Sequence, residues 1–556
     1  MIFHLLTTAL WLWTLTVCRD VTESFPDKRC SNATFQVPNI TGLSTLSILA
    51  APIVGEQLPD LSNICYCRVQ INVTHDYADD NVLVRIDLPM ASIWKGRFQA
   101  QGGGEFATGE FQHGNAVRDG WAVGSTDGGH QWQNIHDASW ALQENGEIEW
   151  NLLENFAYRS LAELIIIGKE ITEQYYETKP HHSYWNGCST GGRQGYAIAQ
   201  RYPGLVDGIL ANAPALSFTH LITAGFWPQL MMQTRNIFMS NCELDFVRNR
   251  SIELCDPLDG VRDRILEDPE RCNFEPSSLV GEEITNCSTK STIWFTQEMA
   301  SLVSEIHRGP AWVSASNVTT GFAYGVNMNV MTDINVDEET GNRSIKPYDA
   351  TASWMKYLVL RNPNANLADL DVSRYAALFG EATYQYSGLL NTDNPDLSAL
   401  RDSGTKLMTW HGLDDEVIPV KNTIEYRKRA EQIMGGADKL DQYYRLFLAP
   451  GVEHCGGGCG AAPHQALEDL VRWVENGLSP QILPAYGSLE CQGLSVMRNL
   501  CLWPARQVYV RGDPSQPWSW KCAGSMRDSY ATVRHDGIYL AQSLMAELMA
   551  SSIMLS

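Results

Sequence analysis

Apolar and polar positions partly alternate over residues 81–88, and after Pro89 a second apolar run covers 94–101 until Gly102, Gly103 and Gly104 interrupt it. A period of two presses one side of an extended chain against a core, so both runs predict strands. Over 150–176 the apolar residues Leu152, Leu153, Phe156, Leu161, Leu164, Ile165 and Ile167 recur at helical spacing, with no glycine before Gly168. This predicts one long amphipathic helix. Residues 183–187 then read as a strand, 192–202 as a helix stopped by Pro203, and 208–215 as another strand. Such a β–α–β rhythm favours a parallel sheet covered by helices. Further strands are expected at 406–412 and 443–451.

Between about Leu216 and Arg401 the periodicity gives way to irregular text rich in Asn and Asp, with four cysteines and four N-x-S/T sequons. Neither a short repeat nor a low-complexity tract is visible. The expected architecture is one α/β body, residues 19–217 and 401–556, interrupted by an inserted domain over 218–400.

Charge narrows the class. Lys and Arg number 41 against 64 Asp and Glu, a formal net charge of −23, while 19% charged and 44% hydrophobic residues mark a folded chain rather than a disordered one. No basic block is present, which disfavours nucleic-acid binding. Residues 2–17 form one apolar run, read as a secretory signal over 1–18; it is short for a spanning helix, and no later stretch matches it. No membrane role is expected beyond that leader. Fourteen cysteines and sequons at Asn32, Asn39, Asn72, Asn249, Asn286, Asn317 and Asn342 fit an oxidising, glycosylating route to the exterior. Removal of Cys18 with the leader would leave an odd number, and so one thiol unpaired or shared with a second chain.

Residues 187–191 fit G-x-S-x-G directly after a predicted strand and directly before a predicted helix. A sharp strand-to-helix turn crowds the backbone, glycines relieve it, and the helix N-terminus offers N–H groups to a developing oxyanion. Ser189 is therefore the candidate nucleophile. A serine nucleophile needs a base and a carboxylate to orient that base. The strand at 406–412 leads into Asp414 and Asp415, and the strand at 443–451 leads into His454, in the order Ser, Asp, His. Asp414 competes with Asp415, and His411 and His464 compete with His454, but one histidine lies within a strand pattern and the other opens a helix-like segment. Cys188 precedes Ser189 and Cys455 follows His454. If they pair, one disulfide pins the nucleophile turn to the histidine loop; otherwise each is a small buried apolar residue.

The run 183–215, SYWNGCSTGGRQGYAIAQRYPGLVDGILANAPA, together with Cys-Ser, HGxxD and His-Cys in that order, resembles the tannase and feruloyl esterase family. The resemblance implies a secreted serine esterase with an α/β-hydrolase fold, a large inserted lid and a Ser-Asp-His triad whose Ser and His are tied by adjacent cysteines. Carried over, it implies Ser189, Asp415 rather than Asp414, and His454, with a Cys188–Cys455 bridge. Asp127, Gly129 and His130, and the segment Phe156, Ala157, Tyr158 and Arg159, also resemble family text. One departure stands out: Glu105 separates the three glycines from the aromatic Phe106. One oxyanion donor is expected in that turn, at Gly104 or Gly103, and the other at Thr190.

Asp256, Asp259 and Asp263 place three carboxylates in eight residues, hard oxygen ligands of the kind that suit Ca²⁺, although the spacing is not that of an EF-hand. The resemblance implies a structural calcium loop in the lid, with the carbonyls of Val261 and Ile265 as further ligands and Cys255 paired with Cys272. It also implies a Cys501–Cys522 pair. Cys30 is expected to pair with Cys67 or Cys65, and Cys242, Cys287, Cys459 and Cys491 are unassigned. The family implies phenolic esters as substrates, free or polysaccharide-linked, either feruloyl and other hydroxycinnamoyl esters or galloyl esters. Phe226, Trp227, Trp312 and Phe322 could stack on such rings or belong to the lid core. A peptidase and a non-catalytic, calcium-stabilised binding protein are the alternatives, and the complete triad argues against the latter.

Overall fold

The computed structural model describes residues 28–285, 292–312, 321–337, 339–487 and 495–524. The leader, Cys18, Cys287, Cys491 and the sequons at Asn286 and Asn317 lie outside the described residues. Two strands precede the first one expected from the sequence: β1 (Leu43–Gln57) and β2 (Asn63–His75) form a long antiparallel hairpin. In β2 the residues Cys67, Val69, Ile71 and Val73 are buried while the alternate positions are half-buried, a period-two pattern. β1 is mostly exposed and lies at the edge of the sheet, so its sequence carries no such alternation.

The strands β3 (Val82–Pro89), β4 (Arg97–Gln101), β5 (Ala122–Thr126), β6 (His182–Cys188), β7 (Gly208–Asn212), β8 (Lys406–Gly412) and β9 (Tyr444–Ala449) complete a nine-stranded sheet of order β1-β2-β3-β5-β4-β6-β7-β8-β9. Pairing is antiparallel from β1 through β3 to β5 and parallel from β5 to β9. The helices Arg159–Tyr176, Thr190–Arg201 and Val420–Met434 share one core with the sheet, and the helix Ala466–Asn476 packs in a second. Neighbouring residues of β6 show the division: Trp185 belongs to the first core and Tyr184 to the second. Burial on both faces explains why the parallel strands read as short continuous apolar runs.

The helix expected over 150–176 is two helices, Trp150–Ala157 and Arg159–Tyr176, broken at Tyr158. The reason is tertiary. Buried Arg193 donates to Phe156 O at 3.0 Å and Ala157 O at 3.1 Å, and Ser160 Oγ donates to Asn155 O at 2.8 Å, so side chains satisfy the carbonyls that a continuing helix would use.

Between β7 and β8 lies the inserted segment. It is not irregular: the helices Phe218–Ala224, Trp227–Arg235, Asn241–Cys255, Gln297–Arg308 and Val372–Leu390 pack around Phe226, Leu230, Leu302, Trp354, Tyr375 and Leu378. Its polar residues include helix caps. Ser240 forms a capping box with Glu243, and the side chains of Thr296 and Asp371 accept from the N–H groups of Met299 and Arg374.

Four disulfides join described residues: Cys30–Cys67, Cys188–Cys455, Cys255–Cys272 and Cys501–Cys522. Cys65, Cys242 and Cys459 are disulfide-bonded as well, so no described cysteine is a free thiol.

Candidate active site

The parallel order of β6, β7, β8 and β9 brings the C-terminal ends of β6, β8 and β9 to one side of the body, and the three candidate residues follow those ends. Ser189 sits between β6 and the helix Thr190–Arg201 with φ +63° and ψ −121°, a left-handed conformation that a non-glycine residue adopts only when its surroundings enforce it. Its N–H donates to Asn212 O at 3.0 Å. The turn is possible because its neighbours lack side chains: a Cβ on Gly187 would fall 2.6 Å from the Gly191 backbone, and one on Gly102 would fall 2.6 Å from Gly191 Cα.

Asp415 is buried, with four bonds on its two oxygens. Oδ1 accepts from the N–H groups of Val417 at 2.9 Å and Ile418 at 2.7 Å, while Oδ2 accepts from His454 Nδ1 at 2.8 Å and His411 Nε2 at 3.0 Å. Burial pushes this carboxyl upward, but His454 and His411 outweigh it and hold the group well below the usual carboxylate range. For His454, burial opposes the charged imidazole, yet Asp415 dominates, with Glu416 and Glu105 adding to it, and the pKa is raised. The rivals fall elsewhere. Asp414 makes no bond to His454, and burial lifts its carboxyl to about 7. His411 is fully buried behind Asp415, and His464 bonds to Tyr486 O at 3.1 Å.

Cys188–Cys455 holds the residues flanking Ser189 and His454 at a Cα separation of 6.0 Å across 267 residues of chain. On the glycine turn, Gly191 N–H donates to Gly103 O at 2.8 Å, Gly103 N–H donates to Gln194 Oε1 at 3.1 Å, and a Cβ on Gly103 would lie 2.1 Å from Ala107 O. Thr190 Oγ1 donates to Glu105 O at 2.7 Å.

A cleft opens at Ser189, walled by Glu105, Phe106, Phe218, Ile222 and Tyr348 among others. The aromatic residues singled out in the sequence do not line it. Phe226 and Trp227 are buried in the insertion, Trp312 packs edge-on against Trp227, and Phe322 faces a second cavity that touches Asp415 but neither Ser189 nor His454. Asp127 accepts from the N–H groups of Leu83 and Gly129 at 2.9 and 2.7 Å, and His130 stacks on Trp140 with ring centroids 3.8 Å apart.

In the aspartate loop, each carboxylate uses one oxygen on the loop's own backbone. Asp256 accepts from Asp263 and Arg264, Asp259 from Val261, and Asp263 from Ile265. Asp259 Oδ2 and both oxygens of Glu267 are buried without a hydrogen-bond partner, although Arg498 Nε stands 3.8 Å from Glu267. Burial lifts Asp259 to about 6 and Glu267 to about 8. Buried, unpartnered carboxylate oxygens of this kind suit a hard cation. Glu267 was not anticipated, because only the fold turns it toward the loop. Among the described residues, three ligand-type atoms within 4.8 Å of one another occur instead at His181, His182 and Glu475, where Arg97 and Tyr184 already hold the carboxylate.

The family model "Tannase and feruloyl esterase" matches residues 67–523. A probable feruloyl esterase of Arthroderma benhamiae is 37% identical over 504 residues, covering 88% of this chain and 93% of that protein. Feruloyl esterase B from Aspergillus oryzae superposes with a TM-score of 0.72 at 26% identity, covering 87% of this chain and 98% of its own. Tannin acyl hydrolase from Aspergillus niger shares the fold, with a TM-score of 0.81 at 24% identity over 90% and 95% of the two chains.

Proposed function

Because the chain belongs to the tannase and feruloyl esterase family and is a carboxylic ester hydrolase, we propose that it cleaves phenolic esters, feruloyl esters first, through an acyl-enzyme on Ser189. The observation that carries the assignment is the 2.8 Å bond from His454 to buried Asp415 beside the disulfide that ties His454 to the Ser189 turn. Asp415 accepts the Nδ1 proton of His454 and leaves Nε2 as the base. Ser189 attacks the ester carbonyl as His454 takes its proton, and the N–H groups of Thr190 and Gly104 receive the oxyanion. Gly104 is preferred to Gly103 because the Gly103 N–H is bonded to Gln194. His454 then protonates the departing alcohol and activates the water that releases the acid.

The feruloyl reading draws on the relative that is 37% identical, while the galloyl alternative draws on a tannase of Aspergillus oryzae 29% identical over 531 residues. The apolar, aromatic cleft suits a planar acyl ring in either case. Ca²⁺ would be held in the insertion by Asp256, Asp259, Asp263 and the carbonyls of Val261 and Ile265, with Glu267 beside them. There it would neutralise the loop's repelling charges, a structural role at residues far in sequence from Ser189. Secretion accords with the disulfides and with the exposed sequons at Asn32, Asn39 and Asn342. No helix of the described residues is long and apolar enough to cross a membrane.

Hydrolysis of methyl ferulate and methyl gallate by wild type and by Ser189→Ala tests the assignment. Release of ferulate by wild type alone is expected. Release of gallate alone selects the alternative, and turnover that survives in Ser189→Ala overturns the triad.

A further inference from the structure

The residue that departs from the family pattern is also the one on which three parts of the molecule meet. Glu105 lies between the glycine turn and Phe106 and adopts φ +50°, a left-handed conformation unusual for a side chain of this size. Two sets of contacts hold it there. On the backbone, Thr190 Oγ1 donates to Glu105 O at 2.7 Å, and Phe106 N–H donates to Ile135 O at 2.9 Å. On the side chain, the Tyr348 hydroxyl donates to Glu105 Oε1, and His136 Nδ1 bonds Oε2.

Tyr348 belongs to the inserted segment, and its ring meets His136 edge-on with centroids 5.7 Å apart. Five residues on, Ser353 Oγ accepts from Ala138 N–H at 2.7 Å. One short stretch of the insertion therefore grips both the oxyanion turn and the loop behind it. Gly104 is bonded directly to Glu105, and the hydroxyl that donates to the Glu105 carbonyl belongs to Thr190; these are the two residues assigned as oxyanion donors. A shift of Glu105 pulls on the backbone of the first and on the side chain of the second.

We infer that Glu105 is a positioning residue through which Tyr348 of the inserted segment sets the oxyanion turn. The inference rests on the ester-hydrolase reading of the site. A polar side chain held by a tyrosine and a histidine at the mouth of an apolar cleft has no packing reason to be there, and a plain turn would use glycine at a positive φ. Oxyanion donors act mainly in the transition state, and loss of one outright lowers kcat by roughly 10²–10³-fold. A displaced turn that keeps its donors lowers kcat by less and leaves KM nearly unchanged.

The test uses p-nitrophenyl acetate, whose small acyl group fills little of the cleft. Glu105→Ala, Tyr348→Phe, the double variant, Glu105→Gln and Ser189→Ala are compared on the full chain, with thermal unfolding measured for each. Expected are a loss of kcat of about tenfold or more for Glu105→Ala and severalfold for Tyr348→Phe, with KM within about twofold. The double variant should be no worse than Glu105→Ala, because Tyr348 acts through Glu105. Glu105→Gln, which still accepts from the Tyr348 hydroxyl, should recover most of the loss. Single variants within twofold of wild type in kcat, or losses that multiply in the double variant, overturn the inference. Persisting turnover in Ser189→Ala overturns the triad instead, so the two failures are told apart.

Discussion

His411 Nε2 bonds, at 3.0 Å, the same Asp415 oxygen that receives His454 Nδ1 at 2.8 Å. His411 is fully buried, and its Nδ1 stands 2.9 Å from Thr423 Oγ1, so the imidazole has no route to substrate and fixes the carboxylate instead. Asp415→Asn should keep the geometry but favour the wrong His454 tautomer, lowering kcat by about 10⁴-fold. His411→Phe should lower kcat far less, by about tenfold, and should also lower the unfolding midpoint, since it deprives Asp415 of a donor in a buried place. Steady-state kinetics beside thermal unfolding separates the two effects.

The pH profile follows from the sign of the His454 shift. Its pKa is raised in the folded protein by Asp415, Glu416 and Glu105 against the opposing effect of burial. The base form is therefore reached only above the ordinary imidazole value of about 6.5, and the acid limb of kcat/KM should lie above that value. Glu105→Gln should move the limb to lower pH. The raised pKa also means that the His454–Asp415 contribution to stability is fully present below the unfolded value and fades as pH rises through the folded one. Activity and this part of the stability thus change in opposite directions, which rate profiles and denaturant midpoints at matched pH will show.

The bridge Cys188–Cys455 spans 267 residues. In the loop-entropy description a closure of that length contributes on the order of 5 kcal/mol. Replacing both cysteines with alanine should lower stability by a large part of that and lower kcat as well, because the Ser189 and His454 turns lose their common anchor. Retained kcat in a folded double variant would show that the sheet alone aligns the pair.

Arg193 is buried, donates to Phe156 O and Ala157 O, and lies over the Phe156 ring at 4.9 Å. Arg193→Leu strands those carbonyls and should destabilise the protein by about 3 kcal/mol. Lysine cannot reproduce the planar fork and should not rescue it. Denaturant unfolding measures both.

Removal of calcium with EGTA should lower the unfolding midpoint, and added Ca²⁺ should restore it, the stabilisation being about 2.7 kcal/mol when free metal exceeds Kd a hundredfold. Glu267→Gln should weaken this response while leaving the kcat of the calcium-loaded enzyme unchanged. Calorimetry with and without metal gives the answer.

The sequence by itself determined the parallel part of the sheet, except for β5, and the nucleophile turn. A G-x-S-x-G between a strand and a helix depends on local sterics, and the strand at 406–412 has the limits of β8 because a short apolar run buried on both faces has few other uses. The order of Ser189, Asp415 and His454 after strand ends was legible for the same reason. Tertiary structure decided what depends on partners distant in sequence. The helix break at Tyr158 needs Arg193 to take its carbonyls, and the choice of Asp415 over Asp414 depends on which carboxylate the turn directs at His454. Glu267 reaches the aspartate loop only in the folded insertion, and Glu105 read as an interruption of a glycine turn until Tyr348, 243 residues away, supplied its partner. Local propensity is written in neighbouring residues, whereas the pairing of buried polar groups is set by which chain segments the packing brings together.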